Sequence, residues 1–292
     1  MTTTGGVRSP APDPVAPAPP RPAVPEPPGG AAGFGGVLRS EWTKLRTVRS
    51  TTWSVVATVV LTVGIGMLAT GMAASHWSHR SLIDRLTFDP TSRSLTGLLF
   101  GQLAVGVLGV LAISAEYGTG TIRATLAAVP HRHRVLAAKA VVFAALAAAV
   151  GEVASFIAFF TGQAMLGSGP PHAALGQPGV LRAVVGGGVY LALLGLLALG
   201  IATVVRHTAG AISAFVGVLF VLPLIVQALP TSVQDAVDRY LPAFIGAVTT
   251  ATRPGAHRVF AAFPTWAGLG VLAGYALAAL AVGAWLLQRR DA

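Results

Sequence analysis

The apolar positions of this chain run in long blocks, and the polar ones gather between the blocks. Six windows stay apolar over roughly 20 residues: 53–74, 95–115, 140–166, 183–205, 211–229 and 265–287. A helix of that length, rising about 1.5 Å per residue, crosses the hydrocarbon core of a bilayer. Backbone N–H and C=O groups find no water there, so each window is expected to close its hydrogen bonds internally, as a helix. The pattern predicts an all-α integral membrane protein with a six-helix domain over residues 53–292.

Three polar or mixed segments between the blocks carry more than topology. Residues 37–52, just before the first window, place Leu38, Trp42 and Leu45 at i, i+4 and i+7, with Arg39, Thr43 and Arg46 facing elsewhere. That spacing predicts an amphipathic helix lying in the membrane interface, apolar groups down and basic groups toward phosphates. The segment 116–130 follows the second window. Gly118 and Gly120 let the chain turn there, and Thr119 or Thr121 can cap a short helix carrying Ile122, Leu126 and Val129 on one stripe, with Pro130 at its end. Such a helix has no span of its own and needs a surface, either the bilayer or a groove in a partner protein. The segment 230–264 is long for a loop. It repeats Val233, Val237, Tyr240, Leu241, Phe244, Ile245 and Val248 at helical spacing, with Pro242 expected to interrupt or bend it. An interfacial or re-entrant helix fits that pattern, and so does a helix lying on the outer leaflet.

Within the windows Glu152 stands out as the one acidic residue. A carboxyl group at membrane depth suggests substrate contact or proton coupling, or else a hydrogen-bonded group at a helix interface with Thr161 or Gln163 for a partner. Two GxxxG pairs, Gly97–Gly101 and Gly270–Gly274, permit close helix approach, although in a chain with 35 glycines chance pairs are expected.

Composition agrees with the blocks. Of the 292 residues 53% are hydrophobic and only 10% charged, and the mean hydropathy is +0.70. An ordinary water-soluble enzyme of this size is excluded, because about 25% charge is usual for a soluble domain. Half of the 20 prolines fall in the first 28 residues. Residues 1–36 therefore read as a disordered, Pro/Gly-rich tail, without the apolar stretch of a signal peptide. The net charge of +10 comes from residues that flank apolar windows rather than covering one polar face. Membrane topology and anionic lipid explain it more economically than nucleic acid does. With both termini inside, 13 of the 20 basic residues, including both lysines, lie on the cytoplasmic side. The positive-inside rule thus favours cytoplasmic N- and C-termini.

Catalytic chemistry finds little footing. Without cysteine there is no disulfide, thiolate metal site or cysteine nucleophile. All seven histidines lie outside the windows, and neither H-E-x-x-H nor G-x-S-x-G occurs, so no metal site is expected. A phosphate-binding loop needs G-x-x-x-x-G-K-[ST]. Lys44 is followed by Leu45 and Lys139 by Ala140, so neither lysine serves one.

The stretch Leu38-Arg-Ser-Glu-Trp-Thr-Lys-Leu-Arg-Thr-Val-Arg-Ser-Thr-Thr-Trp53 resembles the opening helix of actinobacterial ABC-2-type transporter permease subunits. Glu116-Tyr-Gly-Thr-Gly-Thr-Ile-Arg-Ala-Thr-Leu-Ala, followed by Arg134-Val-Leu-Ala-Ala-Lys139, resembles their coupling-helix region. The likeness takes in both motifs, their spacing and the six-span layout. It implies a membrane subunit of an ATP-driven exporter in a bacterial plasma membrane, with ATP and Mg on a separate P-loop ATPase and no cofactor in this chain. Tyr117, Gly118, Thr119, Gly120, Thr121, Ile122, Arg123 and Leu126 would then form the ATPase-coupling segment. Leu38, Glu41, Trp42, Lys44 and Leu45 would belong to the interfacial helix. Six helices are few to enclose a large solute, so two permease chains, identical or related, would share the pathway. Two other readings remain: an ion-gradient-driven transporter or channel using Glu152, and a membrane anchor or assembly factor that recruits through its tail.

Overall fold

A computed structural model of the chain describes residues 33–121, 132–253 and 262–289. Among them no strand forms. Helix α1 (Phe34–Thr47) precedes α2 (Arg49–Ser75), and two short helices, α3 (Leu82–Leu86) and α4 (Pro90–Ser94), lead into α5 (Leu98–Thr119). Then follow α6 (Arg132–Met165), α7 (Val180–Val205), α8 (Thr208–Val216), α9 (Leu222–Gln227), α10 (Thr231–Val237), α11 (Pro242–Thr250) and α12 (Thr265–Arg289). Six of these stretches are long and apolar enough to cross a membrane: Arg49–Ser75, Pro90–Thr119, His133–Met165, Val180–Val205, Thr208–Gln227 and Thr265–Arg289. The chain is a multi-pass, all-α membrane protein. On α12, Trp266 and Trp285 are both exposed. Their 19-residue separation spans about 28 Å of helix, close to the hydrocarbon thickness, which is where interfacial tryptophans sit.

Helix α7 is the hub. Two-thirds of its apolar window is buried, against 22% for the first, fifth and sixth spans. Its glycines explain how neighbours crowd it from several sides. A methyl group at Gly186 would lie 2.6 Å from Thr249 of α11, one at Gly188 2.5 Å from Glu152 of α6, and one at Gly200 2.7 Å from Ala279 of α12. With little hydrophobic drive between helices in lipid, that close van der Waals approach is what binds them. The first GxxxG pair works the same way, Gly97 and Gly101 receiving Thr62 of α2, whereas Gly270 and Gly274 face open space.

Several boundaries differ from the sequence reading. The helix expected over 37–52 breaks at Val48, which is extended, and the first span begins at Arg49 rather than 53. The buried face of α1 is Val37, Glu41 and Leu45, while Trp42 is exposed. Ion pairing of Glu41 turned the helix away from the face that hydrophobicity alone selects. The second span begins at Pro90, ahead of the expected 95, because Asp89 caps α4 through the Thr91 and Ser92 amides. It ends at Thr119, so Glu116 becomes helical; Gly118 and Thr119 stay in the last turn, and the left-handed Gly120 (φ 71°) stops the helix. The third span starts at His133, several residues early, and takes in that histidine together with Lys139. In the fifth, Pro223 has no N–H for the carbonyl four residues back, and a π-helical turn over Gly217–Val221 precedes it.

The segment after the fifth span is helical over Thr231–Val237 and Pro242–Thr250, and Pro242 starts α11 rather than interrupting a helix. Gly246 of α11 rests on Tyr190, ten residues into α7 and therefore about 15 Å along it. Helix α11 is a re-entrant element that reaches roughly halfway down the bundle.

Candidate functional site

At the α1 end of the bundle four charged side chains close a ring. Lys44 Nζ donates to Glu41 Oε1 at 2.8 Å and to Glu116 Oε1 at 3.0 Å; Lys139 Nζ donates to Glu41 Oε2 at 2.5 Å and to Glu116 Oε1 at 2.8 Å. Each lysine thus bridges both carboxylates, and three helices are joined: α1 by Glu41 and Lys44, α5 by Glu116, α6 by Lys139. Glu41 and Lys139 are 1% and 3% exposed, a depth at which an unpaired charge would not be tolerated. Lys44 is the ring's link to solvent. Burial pulls its ammonium down, but the Glu41 and Glu116 carboxylates outweigh that and hold it above its ordinary value.

Beside the ring lies a cavity of about 370 Å³, walled by Leu45 and Val48 on one side and Leu108, Leu111 and Ala115 on the other, with Glu116 and Lys44 at its polar end. Next to Glu116, Tyr117 lies under Arg206, whose guanidinium sits 5.4 Å from the ring centroid. Arg206 is the one non-glycine residue with positive φ (60°) among the described residues. That conformation costs about 1–3 kcal/mol. It is held by the Tyr117 contact and by Nη2 donating to Leu286 O at 3.2 Å. Tyr117 therefore ties α5 to the ends of α7 and α12.

The residues singled out from sequence divide accordingly. Glu41, Lys44 and Leu45 enter the ring and its cavity; Trp42 is exposed and Leu38 half-buried. Gly118, Thr119, Gly120 and Thr121 are exposed, Thr119 and Thr121 at the rim of the same cavity with their hydroxyls 2.9 Å apart. Thr119 Oγ1 also donates to Ala115 O within α5, and the short helix that it or Thr121 was expected to cap lies outside the described residues. Ile122, Arg123 and Leu126 lie outside the described residues, as does most of the tail. Glu152 is 13 residues from Lys139 along α6, so the ring does not include it. Its carboxyl packs against Gly188, and Oε2 is enclosed without a hydrogen-bond partner among the described residues. The partners expected for it are engaged elsewhere. Thr161 donates to Ile157 O, while Gln163 donates to Pro90 O and Ser94 Oγ and accepts from the Ala173 amide.

Sequence reasoning missed Glu116 and Lys139 as site residues. A usable signal existed: the chain holds 18 arginines and two lysines, and both lysines meet in this ring. Lysine concentrates its charge on one ammonium with three donors, which suits a compact four-membered cluster better than a planar guanidinium does.

At the opposite end, single charged side chains bonded to backbone and hydroxyl groups do the joining. Besides capping α4, Asp89 accepts from Thr252 N at 2.6 Å, Thr252 Oγ1 at 2.9 Å and Arg253 N at 3.0 Å, which fastens the chain leaving α11. Arg182 of α7 donates to Thr265 Oγ1 and to Ala251 O. Cavities flank α11 on both sides. One, of about 210 Å³, runs between α11 and α5 to Gln102 and Tyr190; there the Tyr190 hydroxyl donates to Gln102 Oε1 at 2.6 Å. The other, of about 650 Å³, separates α11 from Pro223 and Gln227 of the fifth span. No protein-family model matches the chain, and no curated protein matches it, so what it does is read from its own residues.

Proposed function

We propose that the chain is the membrane permease subunit of an ABC-2-type, ATP-driven exporter in a bacterial plasma membrane. It works as a pair of permease chains with a separate P-loop ATPase that carries the ATP and Mg. Both termini face the cytoplasm, as the distribution of basic residues favours, which makes the ionic ring cytoplasmic. The observation that carries the reading is the ring itself. The two stretches that resemble the permease family, one before the first span and one between the second and third, are far apart in sequence yet share this single cluster.

The ring also supports a route for coupling. Glu116 and Lys139 bracket the segment with Ile122, Arg123 and Leu126, and they are bonded to each other at 2.8 Å. Glu41 and Lys44 add α1 to the same cluster. An ATPase that grips the segment would move α1, α5 and α6 together, and Tyr117 under Arg206 would pass the displacement to α7. At the far end α5 and α7 border α11 and the cavity beneath it, where cargo would leave.

Affinity capture of the full chain from its native membranes in mild detergent tests this. The expected result is a P-loop ATPase held in near-equal amount and lost with Ile122→Asp. A chain that is recovered alone under several gentle conditions would refute it.

One observation favours a second reading, a gradient-driven transporter: the enclosed Oε2 of Glu152, unpartnered among the described residues. A carboxyl group so placed suits a proton carrier. That reading requires transport that survives without any ATPase and disappears with Glu152→Gln.

A further inference from the structure

The far end of the bundle holds a feature that the coupling route does not use. Arg80, in the connection between α2 and α3, and Arg93 of α4 line one polar cavity of about 350 Å³. Both side chains are partly buried, and the Arg80 charge acts on Arg93 across it. Two like charges brought together at partial burial repel one another and lose hydration, so a counter-charge is required. Asp84 and Asp89, which line the same cavity, supply it through space only, without bonding either guanidinium among the described residues. Among the described residues neither arginine makes an ion pair; the ion pairs there are those of the ring at the other end. The two aspartates at the cavity are occupied otherwise. Asp89 accepts five hydrogen bonds, from the Thr91, Ser92, Thr252 and Arg253 amides and the Thr252 hydroxyl. Asp84 is turned to Ser81, whose hydroxyl donates to it at 2.8 Å. Arg80 stacks over Phe88 instead, 5.4 Å from the ring centroid, which leaves the edge of its guanidinium available.

The floor of this cavity is shared. Ser92 and Thr96 also line the 210 Å³ cavity beneath α11, whose walls are otherwise mostly Leu95, Leu98, Leu99, Ala243 and Ala247. A polar chamber with two arginines and an apolar one therefore meet at two hydroxyl-bearing residues. Their combined size falls within the roughly 300–1,000 Å³ of small-molecule sites. The change from charged to apolar across these shared residues matches a ligand with the same division.

We propose that these two cavities form one binding site for an anionic amphiphile, its phosphate or carboxylate head between Arg80 and Arg93 and its apolar tail under α11. Guanidinium groups present paired N–H donors that match the oxygens of such a head. The site rests on the geometry of this end alone and stands whether or not an ATPase binds at the other.

The test uses the full chain purified in a neutral maltoside detergent, with dodecyl phosphate as the probe and native mass spectrometry to count bound copies. Inorganic phosphate gives the head without the tail, and dodecanol the tail without the head. The expected result is one saturable dodecyl phosphate per chain, weakened about tenfold or more by Arg80→Gln or Arg93→Gln. Arg93→Lys, which keeps the charge, recovers most of the affinity, and this separates loss of the head site from misfolding. Ala247→Leu, which fills the apolar chamber, weakens binding severalfold. Inorganic phosphate and dodecanol each bind at least tenfold more weakly than the amphiphile. Phosphate binding as tightly as dodecyl phosphate would reduce the site to a free-anion site and overturn the proposal. Dodecanol binding equally well, or dodecyl phosphate binding unchanged in both glutamine variants, would overturn it too.

Discussion

The two ends of the bundle are fastened by different chemistry. At the α1 end, four charges from three helices neutralise one another in a closed ring, and residues 98 positions apart touch directly. At the α11 end, a single carboxylate and two guanidinium groups hold a re-entrant helix mostly through backbone groups, with hollow space on both of its sides. Buried ion pairs are worth little relative to an apolar replacement, yet breaking one is costly because the abandoned charge stays in a poor solvent. Such a ring therefore resists any rearrangement that separates its members. At the other end each charged group is bonded to neutral partners, whose place water can take without stranding a second charge. The contrast describes a molecule stiff where it would be pushed and yielding where it would open.

The comparison breaks most visibly at Lys139. Lys139→Ala leaves Glu41 buried with half its compensation, and a loss of about 3–5 kcal/mol is expected in unfolding measurements on the detergent-solubilised chain. Removing charge from both sides, as Glu41→Gln with Lys139→Met, should recover more than half of that loss. Next comes helix approach. A methyl group at Gly97 would lie 1.8 Å from the Thr62 carbonyl oxygen, whereas at Gly270 it would meet nothing within 4 Å. Gly97→Ala is therefore expected to cost about 1–3 kcal/mol, and Gly270→Ala to be neutral or slightly stabilising. The outer fastening is weaker still. Asp89→Ala removes a cap and the tie to Thr252, at about 1–2 kcal/mol. Its sharper signature is faster amide hydrogen exchange in α11 with α1 unchanged.

The smallest effect is one of pH. Lys44 is raised in the folded chain, so its contribution is complete below the ordinary lysine value of 10.5 and is lost as pH climbs through the higher folded value. Alkaline titration above that point is expected to loosen α1 in the wild type but not in Lys44→Arg, whose guanidinium stays charged. Equal loosening in both would remove Lys44 from the account.

Period and length were enough to read the six spans, because lipid leaves the backbone no choice but helix. Their ends were less legible. Hydropathy stops at a charged residue, whereas a helix continues through Glu116 and Lys139 when those charges find partners. The re-entrant α11 could be suspected from its spacing, but its depth is set by Gly246 fitting over Tyr190, a contact between distant segments. The ring was half legible: Glu41 and Lys44 form an i, i+3 pair that sequence shows directly. Nothing local ties that pair to Glu116 or Lys139, since the link is made by the way α1, α5 and α6 pack. Charge scarcity was the available hint, and hydrophobic periodicity pointed instead to Trp42.

A chain without cysteine takes paired spin labels cleanly, and distances measured in lipid nanodiscs address the stiff-end, yielding-end contrast directly. One labelled pair would sit at exposed Arg39 and Ala137 near the ring, and the other at exposed Leu99 and Ala247 across the cavity under α11. A single narrow distribution is expected for the first pair and a broad one for the second, with Lys139→Ala broadening the first alone. An inner pair as broad as the outer one in the wild-type chain would contradict the account.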